Sequence, residues 1–285
     1  MDSLFDEEIR KIVQRALAED IGSGDVTTLA MVPASAMARA TLMAREPLVL
    51  AGVALAEAAF RELCPAIQIE RSIHDGEGAG KDGKLLSVYG PAQAILSAER
   101  VALNFVQRLS GVATLTAQFV DVVKGTRAKI LDTRKTTPGW RRLEKYAVRC
   151  GGGQNHRFGL DDMVLIKDNH LVTLRHELPN AIAAAVRRAR AKYPGLKVEV
   201  ETDTFEQVQQ SFEAGADIVL LDNMEIEKLR AAVVWLNNRT RTEASGGVTL
   251  QTVRAISETG VDFISIGALT HSARAVDIAL DFEAV

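Results

Sequence analysis

Cysteine is nearly absent from the chain. Two residues, Cys64 and Cys150, cannot build a disulfide framework or a four-thiolate zinc site, and they fit a reducing compartment. Also missing is any excess of basic charge: 34 Lys+Arg stand against 37 Asp+Glu for a formal charge of −3, whereas a nucleic-acid-binding domain is normally clearly basic. No nucleic-acid partner is expected. Long apolar runs are lacking too, since the longest uncharged one, Pro47 to Ala56, spans about half of the ~20 residues that a membrane helix needs. The opening MDSLFDEEIRK is acidic before it is apolar, the reverse of a secretory signal, so a soluble cytoplasmic protein with no membrane association is the expectation. What is present is ordinary folding material. A hydrophobic fraction of 47% and a charged fraction of 25% over 285 residues argue against global disorder and for one or two domains with a substantial core.

Ile9, Ile12, Val13, Ala16 and Leu17 recur at helical spacing and stop at the glycine-bearing EDIGSGDVTT segment, which predicts an opening amphipathic helix. From Ala38 to Gly90 the signals are short: ARATLMA, an alanine-rich helical stretch from Val53 to Leu63, then IQIERSIHDGEGAGKDGKLLSVYGPA with its clustered glycines. These predict strands, a helix and a glycine-rich turn in an α+β arrangement. Gln93 to Val123 has no proline and one glycine, and is expected to form two helices broken near Gly111. After Gly125 strand-length apolar runs alternate with helical stretches, the βα pattern of a parallel sheet. The runs begin at Ala128, Met163, Leu196, Asp217, Arg241 and Asp262, and the last four starts are 21, 24 and 21 residues apart. Six runs are too few for a full barrel of ~250 residues, so a shortened barrel of six or seven strands is expected, with an open doubly wound sheet as the competing topology.

The residues that close these runs carry strong chemistry. They are Asp132, Arg134 and Lys135; Lys167 and Asp168; Glu201 and Asp203; Asp222 and Asn223; Ser245, Gly246 and Gly247; and Gly267. In a βα barrel the C-terminal strand ends converge on one mouth, so residues far apart in sequence can share a pocket there. Charge points to the same place: Ala128 to His170 holds nine Lys/Arg against five Asp/Glu, a net of +4, which leaves −7 for the rest of the chain. Within that island, Arg134, Lys135, His156, Arg157, Lys167 and His170 combine guanidinium forks, ammonium groups and imidazoles suited to a ligand that is both carboxylated and phosphorylated. Arg141, Arg142, Lys145 and Arg149 are expected on a solvated helix face instead. Ser245-Gly246-Gly247 and Gly267-Ala268-Leu269-Thr270-His271 follow the last two runs and are expected to open helices that hold a phosphate on backbone N–H groups. Between the basic set and these glycines, Glu201 and Asp222 suit sugar hydroxyls or Mg²⁺, directly or through water.

Competing motifs fail. GAGKDGK from Gly78 to Lys84 reaches Leu85 where a phosphate-binding loop needs Ser or Thr, and LLSVYG after it reads as strand rather than helix. His176-Glu177 lacks a second histidine, Asn180 standing in its place, and no G-x-S-x-G occurs. Cys150 beside three glycines reads as a packed thiol. The glycine-spaced hairpin resembles that of lipoyl or biotinyl carriers, but their modifiable lysine is not evident.

Taken together, LDTRKTTPGWR, KYAVRCGGGQNHRFGLDDMVLIKDNH, VEVETDTFEQ, DIVLLDN, EASGGVTLQTV and GVDFISIGALTHSARAVDIALDF resemble the quinolinate phosphoribosyltransferase family. EDIGSGDVTT and SAERVALNFVQRLSGVAT extend the resemblance over nearly the whole chain. It implies a pentosyltransferase of NAD biosynthesis that joins quinolinate and phosphoribosyl pyrophosphate, with Mg²⁺ and no organic cofactor, giving nicotinate mononucleotide, pyrophosphate and CO₂. The implied fold is an N-terminal α/β sandwich over 1–112, with 272–285 able to pack back on it, and a roughly seven-stranded shortened α/β barrel over 113–271. By motif position Thr133, Arg134, His156, Arg157 and Lys167 would hold the quinolinate carboxylates, Arg100 would reach in from the partner of a homodimer, and Lys135 would face pyrophosphate. Glu201 and Asp222 would meet the ribose hydroxyls or the metal, while Ser245, Gly246, Gly247, Gly267, Ala268 and His271 would surround the 5′-phosphate. The same family fold leaves two other readings: a transferase for a monocarboxylate base, or a non-catalytic sensor of anionic metabolites. The paired arginines argue against the first, and the retained Glu201 and Asp222 against the second.

Overall fold

The computed structural model describes residues 6–285. The chain forms two compact units: residues up to Ala117 join Thr137–Gly152 and Leu269–Val285 in one, while Gln118–Thr136 and Gly153–Ala268 make the other. The second unit thus differs from the expected 113–271 span chiefly by the excursion at 137–152, which the chain gives back to the first.

In the first unit the helix Asp6–Ile21 begins with three acidic residues that suit its N-terminal dipole, and its buried stripe is Ile9, Val13 and Leu17. The short helix Val26–Met31 is capped by Asp25, whose side chain accepts from the Thr28 N–H at 3.0 Å. Four antiparallel strands lie in the order Ile278–Ala284, Met37–Ala44, Lys84–Pro91, Gln68–Arg71. Lys84–Pro91, which follows the glycine-rich GAGKDGK turn, is strand, as the rejection of a phosphate-binding loop requires.

Two expectations need correction here. Ala92–Val122 is one continuous helix that passes straight through Gly111. A Cβ at that position would stand 1.9 Å from the Arg274 carbonyl oxygen, so the glycine permits a backbone to approach the helix rather than ending it. Helix Arg141–Cys150, expected to present its basic residues to solvent, buries them: Lys145 is 2% exposed, and Arg141, Arg142 and Arg149 are partly buried. Glu144 beside them is fully buried and receives Arg108 at 3.2 Å and the Thr137 hydroxyl at 2.9 Å. Cys150 is buried as expected of a packed thiol, and burial pushes it up to about 12.

The second unit is built on six parallel strands, in the order Lys129–Leu131, Phe263–Ser265, Arg241–Ser245, Ile218–Asp222, Val198–Thr202, Val164–Ile166. All six apolar runs became strands. In the three longest, Val198–Thr202, Ile218–Asp222 and Arg241–Ser245, three consecutive residues are buried, as in strands covered on both faces. The connecting helices carry local start and stop signals: Thr204 and Gln207 form a capping box before Phe205–Glu213, and Ile226–Leu236 ends on left-handed Asn237. A seventh strand position is held by one residue. Gln154 donates to the Ile130 carbonyl at 2.8 Å and its own carbonyl accepts from Asp132 at 3.2 Å, alongside the first strand of the shortened barrel. Among the described residues no helix is long and apolar enough to cross a membrane.

Candidate active site

Side chains alternate between the faces of a strand, so residues two apart share one face. Leu165 and Lys167, Leu220 and Asp222, and Glu243 and Ser245 fall into such pairs, and all of them line a single cavity of about 540 Å³ with Glu201 and Ser265. It opens where the strands end. The volume is that of a pocket for a small organic ligand.

One wall is cationic. Arg134 and Lys135 follow the first strand, His156 and Arg157 follow the Gln154 bridge, and Lys167 follows the second strand; Thr133 stands beside them and accepts from the Lys135 N–H at 3.0 Å. Fully buried Asp132 shapes this wall from behind, accepting the His156 N–H at 3.0 Å and the Asn155 side chain at 2.5 Å. Burial, and then repulsion from Arg134, draw Arg157 below the ordinary guanidinium value. The Arg134 Nε is buried without a hydrogen-bond partner. Two guanidiniums in mutual repulsion, one with an unanswered donor, describe a wall that an anion would relieve.

The same cavity also holds oxygen donors and a loop. Glu201 is ion-paired with Lys167. Asp222 accepts from the Asn223 amide at 2.7 Å, and Asn223, in the left-handed region at φ 51°, donates its backbone N–H to the Ser245 carbonyl at 2.9 Å. Gly246 must be glycine on two counts: its φ is 97°, and a Cβ would stand 2.1 Å from Asn223 Oδ1. Gly247 also has positive φ. The loop was expected to open a helix, but the next one, Val253–Ser257, starts further on.

Beneath the cationic wall lies a group that the strand-end rule missed. Glu199 and Glu243 are 0% and 1% exposed, and His156 Nε2 stands 3.0 Å from Glu199 Oε2 and 3.5 Å from Glu243 Oε2. Burial pushes Glu199 up to about 7; burial and then the neighbouring Glu199 carboxylate push Glu243 up to about 8. Both sit inside strand runs that otherwise read as apolar. The signal was available, since each lies two residues before a strand-end residue, Glu201 or Ser245, and so on the same face. The nearest donor atoms of His156, Glu199 and Glu243 are mutually within 4.8 Å, a spacing a metal ion could use, while Glu201 and Asp222 offer only the oxygens that Mg²⁺ prefers.

Four expected site residues lie outside this cavity's lining. Gly267 and Ala268 come just after Ser265, Ala268 opening the four-residue helix Ala268–His271. Arg100 and His271 belong to the first unit, Arg100 exposed on the long helix and His271 with its Nδ1 2.6 Å from the Ser272 hydroxyl. The remaining eleven come together.

Comparison with known proteins points one way. The model of the quinolinate phosphoribosyl transferase N-terminal domain matches residues 25–110, and that of its C-terminal domain matches residues 112–281. The chain is 42% identical over 278 residues to a nicotinate-nucleotide pyrophosphorylase (carboxylating) of Mycobacterium leprae, spanning 95% of this chain and 96% of that one. It is 43% identical over 292 residues to quinolinate phosphoribosyltransferase (decarboxylating) 1b of Nicotiana tabacum, spanning 97% and 83%. Among solved structures, the nicotinate-nucleotide pyrophosphorylase of Francisella tularensis superposes with a TM-score of 0.93 at 38% identity, covering 99% of this chain and 98% of its own.

Proposed function

The chain belongs to the quinolinate phosphoribosyltransferase family, and we propose that it carries out that family's reaction in the strand-end cavity. It is a pentosyltransferase that joins quinolinate to phosphoribosyl pyrophosphate with decarboxylation, giving nicotinate mononucleotide for NAD biosynthesis. The bond from ribose C1 to pyrophosphate breaks and one from C1 to the pyridine nitrogen forms; the C2 carboxylate then leaves as CO₂ and a proton takes its place.

One observation carries this reading: Arg134 and Arg157 face the same cavity in mutual repulsion, with the Arg134 Nε unanswered. A dicarboxylate base satisfies two such forks, where a monocarboxylate leaves one unmatched. His156, Lys167 and Thr133 complete the cradle for the base, and Lys135 faces pyrophosphate. Glu201 and Asp222 hold ribose hydroxyls, and their oxygens suit Mg²⁺, which when bound neutralises the charge of the leaving pyrophosphate. Ser245, Gly246 and Gly247 bind the 5′-phosphate through backbone N–H groups, with Gly267, Ala268 and His271 as further contacts. Positive charge builds on the ribose ring as pyrophosphate departs, so carboxylates beside it and fixed positioning are enough; no covalent nucleophile is required. The same reading includes a cytoplasmic homodimer, with Arg100 of one copy completing the other's site, and a division into 1–112 and 113–271, supported by family models that meet between residues 110 and 112. Purified protein given quinolinate, phosphoribosyl pyrophosphate and Mg²⁺ should release CO₂ and form nicotinate mononucleotide. Equal turnover of nicotinate in quinolinate's place would overturn the dicarboxylate assignment.

A further inference from the structure

Asn223 follows Asp222 at a strand end and lines the cavity, yet the reaction as just described gives it no part. Its backbone lies in the left-handed region at φ 51°, where asparagine is one of the few residues besides glycine to sit readily. Three contacts converge on it. Strands Ile218–Asp222 and Arg241–Ser245 pair in parallel with Asp222 opposite Ser245, and the Asn223 N–H carries that ladder one step further by donating to the Ser245 carbonyl at 2.9 Å. The side-chain amide donates to Asp222 Oδ2 at 2.7 Å. The same amide lies against Gly246, where a Cβ would stand 2.9 Å from Asn223 Nδ2 and closer still to its Cγ and Oδ1. One residue therefore touches both the carboxylate that closes one strand and the glycine turn that follows the next.

We propose that Asn223 is a positioning residue for the phosphoribosyl half of the substrate: it fixes the Asp222 carboxylate relative to the Ser245–Gly247 turn. The inference rests on the assignment above of Asp222 to the ribose and of the turn to the 5′-phosphate. Within one sugar phosphate the ring hydroxyls and the phosphate are joined by a fixed set of bonds, so the groups that receive them must be held at a matching separation. Setting that separation before the ligand arrives removes an ordering cost from binding. The turn needs such a brace, because Gly246 and Gly247 both have positive φ and glycine is the residue freest to leave a given conformation. Glu201 is held from the other direction, by Lys167, which follows the strand on its far side. A ligand too small to span both groups gains nothing from the brace.

The test uses Asn223→Gly, which keeps the left-handed backbone and its N–H and removes the side chain alone, with Asp222→Ala and the double variant beside it. Binding is read by calorimetry without quinolinate, so that no turnover intervenes. Asn223→Gly should bind phosphoribosyl pyrophosphate about tenfold more weakly, the loss expected for a hydrogen bond to a charged group. Inorganic phosphate, which cannot span both groups, should bind within about twofold of wild type. The melting temperature should move by no more than about 2 °C at this exposed position. Because Asn223 acts through Asp222, the double variant should bind phosphoribosyl pyrophosphate no more weakly than Asp222→Ala alone. A residue needed only to shape the turn is replaced by glycine without loss, so wild-type affinity in Asn223→Gly would overturn the proposal. Equal losses for phosphoribosyl pyrophosphate and phosphate, or additive losses in the double variant, would overturn it too. If the wild-type enzyme itself failed to release CO₂ from quinolinate, the functional reading would fall instead, and that single control tells the two failures apart.

Discussion

Charge gathers at both ends of the six parallel strands, and the two ends treat it differently. At the N-terminal end, Asp262 receives Arg241 at 2.8 Å, the Thr242 N–H at 2.9 Å, the Thr242 hydroxyl at 3.1 Å, and Arg127. Burial alone would push Asp262 up; the hydrogen bonds, Arg127's foremost, more than reverse this and hold it below its ordinary 3.8. Asp217 nearby accepts from Arg190 at 2.7 Å and from the Val198 N–H at 2.6 Å. At the C-terminal end the balance is broken. Arg134 keeps an unanswered donor, Arg157 is repelled by it, and two glutamates are pushed up by burial. Paired charge ties strands together, whereas charge left unpaired in a cavity awaits something the protein does not contain.

The sharpest way to break this contrast is Arg134→Ala. Turnover should fall about a hundredfold to a thousandfold, while the melting curve stays put; CO₂ release and calorimetry on one preparation decide it. Next comes the loop at the same end. Gly246→Ala forces an unfavourable φ and a contact with Asn223, and strain of about 1–3 kcal/mol should raise the phosphoribosyl pyrophosphate KM about tenfold or more, with quinolinate less affected. Asp262→Ala should show the opposite profile: a loss of roughly 2–3 kcal/mol in denaturant unfolding, with kcat and both KM values unchanged in the folded fraction. The smallest effect is in pH. Asp262, lowered on folding, contributes stability that is present above 3.8 and lost as pH falls through its folded value. Glu199 and Glu243, raised from 4.5 to about 7 and about 8, favour the fold below 4.5 and oppose it as pH climbs through those values. Melting temperature should therefore decline from about pH 5 to about pH 8 and level off above that, and less so in a Glu199→Gln, Glu243→Gln double variant.

Much of this was legible from residue pattern alone, for an identifiable reason. Covered parallel strands are continuous apolar runs, and where the apolar run stops the chemistry starts, so Lys167, Glu201, Asp222 and Ser245 announced themselves by position. Glu199 and Glu243 did not, because a rule that looks at strand ends passes over a charged residue two places earlier. Local signals failed wherever a distant segment decided the outcome. Gly111 reads as a helix break until the Arg274 carbonyl is seen against it, and the basic residues of Arg141–Cys150 read as solvated until the first unit closes over them. Gln154, a strand position one residue long, carries no periodicity to be read.

Strand Ile278–Ala284 lies against Met37–Ala44 in register from Ala38 opposite Ala284 to Ala44 opposite Ile278. On the ribosome this pairing joins a strand made early to one made after all six parallel strands. At ~5–20 residues per second, Met37–Ala44 waits roughly 10–50 s with one hydrogen-bonding edge bare. A bare edge is a template for another chain. The unit that translation begins is thus the one it completes last, and the nascent protein's exposure to misassociation is set by the time taken to synthesise the parallel-stranded unit between.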